Sequence, residues 1–149
     1  MILFKIIFLA DMIMDYNYKT SHNKIFKRDK FIYKFFRSEK KYNNERDFYI
    51  NTKDKFDFIP KLFYFSDKRR LLIIQNVGQR IKKQEFIDKQ DHLKSLHDNI
   101  VKKSGYYHRD LYYKNICKNS KNKYFIIDFE SSSKENKNIH KKSKEFYIS

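Results

Sequence analysis

Cysteine occurs once, proline once and glycine twice in 149 residues. The lone Cys117 excludes an internal disulfide framework and a cysteine-rich zinc site, and it fits a reducing compartment. So little Gly and Pro excludes collagen-like and Pro/Gly-rich low-complexity chains. Acidic residues are also short. There are 18 Asp and Glu against 34 Lys and Arg, a formal net charge of +16. Long hydrophobic runs are missing. The N-terminal candidate, Ile2 to Ala10, is broken by Lys5 and reaches about half the length of a spanning helix. It lacks the charged n-region of a signal peptide, and Asp11 and Asp15 follow closely. Its Ile and Phe content reads as a buried or edge strand. The sequence thus predicts no membrane span and an intracellular, cytoplasmic protein.

What is present suits one domain. The chain is 40% hydrophobic and 18% aromatic, enough for a core and too apolar for a disordered chain. No internal repeat and no Gly/Ser/Pro linker divides it. The positive charge points to an acidic or nucleic-acid partner. The excess of Lys, Asn, Ile, Phe and Tyr also matches the codon bias of an AT-rich genome, which offers a plainer reading as a solvated Lys-coated surface.

Apolar patterning predicts strands over 24–28 and 31–36, a helix over 39–50, and strands over 62–65 and 71–74. A long helix is expected over 84–103. Leu93, Leu96, His97, Ile100 and Val101 fall on one face of a 3.6-residue period, and Gly105 supplies the left-handed cap. His97 reads as a packed helix residue. Segments 115–117 and 124–128 read as a hairpin, and 131–149 as a polar Lys-rich tail. The order is α+β.

One segment stands apart: His108-Arg109-Asp110-Leu111-Tyr112-Tyr113-Lys114-Asn115, then Phe125-Ile126-Ile127-Asp128-Phe129-Glu130. Alone, Asp110 would be a cap, Asn115 a turn residue and Asp128 a polar strand end. Together they resemble the H-R-D-L-x-x-x-N catalytic loop and the D-F-G metal-binding motif of the protein-kinase-like superfamily. The resemblance runs from about residue 20 to 130. It implies a two-lobed fold, with a small antiparallel N-terminal sheet and hinge in 1–78 and a reduced helical C-terminal lobe in 79–130. It also implies ATP and Mg²⁺, with Mn²⁺ as an alternative, and a hydroxyl-bearing acceptor, either a protein or a small molecule. Asp110 would orient the acceptor hydroxyl. Asn115 and Asp128 would be the metal ligands. His108 would support the loop.

Upstream, Lys34 is a single cation inside an apolar strand and needs an anionic partner. The resemblance makes it the lysine that holds the ATP phosphates, paired with Glu45, with Glu39 as competitor. Gln75 and Val77 would read adenine through backbone groups at the hinge. The Gly-rich phosphate loop is absent. Its positional counterpart, residues 20–27, is similar to the Gly-poor loops of aminoglycoside- and choline-kinase-like families, where Ser21 and Asn23 would substitute. The A-P-E motif is missing, as in RIO-type and other small atypical kinases, and the C-terminal lobe is short. Tyr112 stands where Ser/Thr kinases carry a lysine, and Lys114 is the nearby cation placed to contact a phosphate. Two further function classes fit the sequence. One is a pseudokinase or interaction module, suggested by the missing loop and short lobe. The other is a basic nucleic-acid-binding protein, suggested by charge interleaved with Tyr and Phe.

Overall fold

A computed structural model describes residues 23–134. The expected strand at Ile2 to Ala10, the candidate Ser21 and residues 135–149 of the expected tail lie outside the described residues. Four antiparallel strands form the first sheet: β1 (Lys24–Arg28), β2 (Phe31–Phe35), β3 (Leu62–Ser66) and β4 (Leu71–Gln75), in the order β1-β2-β4-β3. The pairings Lys34↔Leu72 and Ile32↔Ile74 put these side chains on one face. Phe35↔Leu71 and Tyr33↔Ile73 lie on the other, where they form a small cluster of their own with Phe31 and Tyr64 packed against it.

Helix α1 (Glu39–Asn51) starts at Ser38, whose side chain accepts from the Lys41 amide. It buries Tyr42, Glu45, Phe48 and Tyr49, a helical stripe that includes one carboxylate. Phe36, just past β2, and Leu72 and Ile74 of β4 share a single apolar cluster with Tyr42 and Phe48 of α1 and with Leu93, Ile100, Leu111 and Phe129 further along the chain. The core therefore joins the sheet to the later helices without a break.

The expected long helix is two. Helix α2 (Lys83–Asp88) and helix α3 (Gln90–Ser104) meet at Lys89, which leaves helical geometry with φ −110° and ψ 13°. Each piece has its own anchor. Phe86 is fully buried, and Glu85 beside it accepts from Lys118 and from the Tyr124 hydroxyl. Leu93, His97 and Ile100 bury the stripe of α3. No apolar side chain lies between Asp88 and Asp91 to hold a continuous axis. Gly105 ends α3 in the left-handed conformation, its amide donating to the Val101 carbonyl, as expected from its position.

The hairpin is shorter than its apolar pattern. It comprises β6 (Ile116–Lys118) and β7 (Tyr124–Ile126), and a two-residue strand β5 (Gln79–Arg80) adds to its edge. Strand β5 is polar and exposed, so hydrophobicity gave no sign of it. Gly78 makes the pairing sterically feasible. A Cβ there, at φ +110°, would collide with the Lys118 carbonyl oxygen.

Candidate functional site

Lys34 is the centre of the site. Its Nζ lies 2.6 Å from Glu45 Oε2, 2.9 Å from Asp128 Oδ1 and 3.5 Å from Glu130 Oε2. Strand β2 aims the lysine inward, α1 presents Glu45, and the turn after β7 delivers the other two carboxylates. Glu39 is exposed, so the choice between the two glutamates falls to Glu45. Burial opposes the lysine's charge, but the three carboxylates outweigh it and raise Lys34 well above the usual lysine range. Burial pushes Glu45 up to about 7 against the pull of Lys34. One reason is visible: Glu45 Oε1 is buried with no hydrogen-bond partner. Burial also opposes the Asp128 charge, yet Lys34 beside it holds that carboxyl below its ordinary value.

Alternation along Asp128-Phe129-Glu130 explains their placement. Phe129 turns into the core, stacked on Phe48 at 3.7 Å and tilted against His108 at 4.8 Å. Its neighbours therefore face the cavity. Asp128 adopts φ 65° and Arg109 φ 69°, left-handed conformations that are uncommon outside glycine and cluster at functional sites.

The second cluster is the loop before β6. Asn115 is buried and donates from Nδ2 to the Asp110 carbonyl oxygen at 2.8 Å and to Asp110 Oδ2 at 3.4 Å. Its own carbonyl accepts from the Ile127 amide. His108 shares a 2.8 Å hydrogen bond with the Ile127 carbonyl, and its Nδ1 accepts from the Asp110 amide. Burial drives His108 down to about 4, so the ring is neutral at pH 7. His97 of α3 accepts from the His108 amide through Nε2. It buttresses the loop, a role that its place on the apolar stripe concealed.

A cavity of about 530 Å³ is lined by Asn23, Ile25, Lys34, Arg37, Ser38, Lys41, Asp128 and Glu130. Of the residues singled out in the sequence, it brings together Lys34, Asn23 and Asp128, with Glu45 behind Lys34. Asp110, Asn115 and His108 form the neighbouring loop cluster and do not line this cavity. Lys114 is exposed, with its ammonium over the Tyr113 ring. Gln75 ends β4, where its amide donates to the Lys61 carbonyl. Val77 packs with Cys117, Phe125 and Ile127. Neither borders the cavity. Glu130 and Lys41 were missed as site residues. The signals were there: Glu130 lies two residues past Asp128, and Lys41 lies one helical turn before Glu45.

No protein-family model matches the sequence, and no curated protein matches it either. Solved structures do. The co-crystal structure of WbdD with the kinase inhibitor LY294002 superposes with a TM-score of 0.58 at 17% identity, over 80% of this chain and 33% of that one. A structure of the bifunctional kinase-methyltransferase WbdD gives 0.56 at 19% identity, over 76% and 30%. A 2.2 Å structure of WbdD gives 0.59 at 17%, over 80% and 32%. The fold is kinase-like. The chain spans about a third of the length of these structures. Among the described residues no helix is long and apolar enough to cross a membrane.

Proposed function

We propose that this chain is an atypical kinase, which binds ATP between two lobes and transfers its γ-phosphate to a hydroxyl of a protein or small molecule. The observation that carries this reading is the convergence of Lys34, Glu45 and Asp128, far apart in sequence, into one ion cluster at the edge of a cavity. Residues 1–78 would form the sheet lobe and hinge, 79–130 the reduced second lobe and 131–149 a tail. The kinase-like neighbours and the bound kinase inhibitor in one of them support the reading.

Oxygen atoms of Glu45, Asp128 and Glu130 lie within 4.8 Å of one another, a donor set that fits a hard divalent cation. Asp128 and Asn115 would hold Mg²⁺ or Mn²⁺, which when bound would offset charge on the transferring phosphoryl group. Lys34 would grip the phosphates, and Gln75 and Val77 would meet adenine through their backbone. Asp110, positioned by Asn115 and His108, would accept the hydrogen bond of the acceptor hydroxyl and orient it for attack. Its replacement tests the reading directly. Asp110→Asn should lower γ-phosphate transfer by roughly a hundredfold or more while ATP binding persists. Equal transfer by the variant, measured with radiolabelled ATP, would contradict this role.

A pseudokinase reading has one observation behind it. The chain's glycines, Gly78 and Gly105, both lie after Lys34, so no Gly-rich loop precedes that residue. A wild type that binds ATP but transfers no phosphate to itself, to basic proteins or to small alcohols would favour it.

A further inference from the structure

Donors from three separate parts of the chain converge on the Glu130 carboxylate. Asn23 Nδ2 donates to Oε2 at 2.7 Å and Lys41 Nζ to Oε1 at 3.0 Å, while Lys34 Nζ lies 3.5 Å from Oε2. Asn44 steadies the residue from the other side by donating to its carbonyl oxygen at 3.0 Å. Two ammonium groups and an amide around one multi-oxygen anion make a charge-assisted binding arrangement. A phosphate group, with three strong acceptor oxygens and more charge, suits the same donors. These donors line the cavity that the kinase reading gives to nucleotide. With no Gly-rich loop ahead of Lys34, the side chains of Asn23, Lys34 and Lys41 are available to supply phosphate contacts.

We propose that Asn23 and Lys41, beside Lys34, form a side-chain cradle for the nucleotide's phosphates, which Glu130 occupies until phosphate displaces it. The proposal rests on the nucleotide reading above and adds to it the means of phosphate recognition. Lys41 sits four residues before Glu45, on the same face of α1, so its cation reaches the pocket of the Lys34–Glu45 pair. Its side chain is 51% exposed and long enough to follow an incoming anion. Glu130 keeps the donors gathered, and it also competes with the ligand through its charge.

The test is calorimetric titration with ATP and with adenosine, both in EDTA so that no metal takes part. Wild type, Lys41→Met, Lys41→Gln and Glu130→Gln are compared after their unliganded melting temperatures are matched. Both Lys41 variants should bind ATP roughly tenfold or more weakly and adenosine equally well. Glu130→Gln should bind ATP severalfold more tightly, because the competing charge is gone. Unchanged ATP affinity in the Lys41 variants would overturn the cradle and leave the nucleotide reading standing. Weaker ATP binding by Glu130→Gln would overturn the displacement. A wild type that binds neither ligand, in EDTA or with Mg²⁺ present, would overturn the nucleotide reading, and the cradle with it.

Discussion

Replacing Lys34 with Met would strand Glu45 in the core without its ion-pair partner. The loss of one partner from a buried pair typically costs about 3–5 kcal/mol. Glu45 would respond by protonating, since its pKa already stands near 7 with the lysine present. An acid whose folded pKa is raised loses stability as pH rises above its unfolded value near 4.5. Urea unfolding of Lys34→Met should therefore show a deficit that widens between pH 5 and pH 8, and adding Glu45→Gln should recover part of it. A deficit independent of pH would contradict the pairing. His108 gives the opposite slope. Its folded pKa of about 4 lies below the ordinary 6.5, so the unfolded state takes up the proton first. Stability is complete above pH 6.5 and falls by about 3 kcal/mol in all as pH drops through 4. A variant such as His108→Asn should flatten that part of the urea profile. The chemistry of these residues was legible because each is a polar side chain at an ordered spacing. Glu130 was missed although it lies two residues past Asp128, because its partners Asn23, Lys34 and Lys41 come together with it only in the fold.

Elements were readable wherever local pattern and tertiary packing agree. Strand β1 and the starts of β2, β3 and β4 follow from Ile, Phe, Leu and Tyr in short runs, and α1 from the Tyr42, Phe48 and Tyr49 spacing. The break at Lys89 was not readable. It depends on Phe86 and Glu85 turning toward the β6–β7 hairpin, a long-range demand that no helical period encodes. Strand β5 was invisible for a similar reason, since its pairing follows from backbone approach at Gly78. The two glycines should accordingly behave differently. Gly105→Ala meets nothing within 4 Å and has only its φ of +75° to oppose it, so a loss of about 1 kcal/mol is expected. Gly78→Ala adds a collision with the Lys118 backbone and should cost several times more, with the edge strand detached. Comparable melting temperatures for the two variants would contradict the β5 pairing.

At the scale of the molecule, one apolar cluster ties α1 to Phe129 and to α3, so the cluster around Lys34 is held by the core itself. The +16 charge is a property of the whole surface, and composition alone did not separate a nucleic-acid partner from Lys-rich codon usage. The cavity gathers Lys34, Arg37 and Lys41 around one opening, together with Asp128 and Glu130. The most direct test of the central claim is the melting temperature of wild type and Asp128→Asn, each with and without Mg²⁺-ATP. Asparagine tolerates the left-handed backbone at this position, so the substitution removes charge without adding strain. Ligand at a hundred times its dissociation constant stabilises by about 2.7 kcal/mol, which raises the melting temperature by roughly 5–10 °C for a domain of this size. A rise of that order in wild type, greater with Mg²⁺ than without it and reduced in Asp128→Asn, is the predicted result. No rise in a folded wild type, or an equal rise in both proteins, would contradict nucleotide binding at the Lys34–Asp128 site.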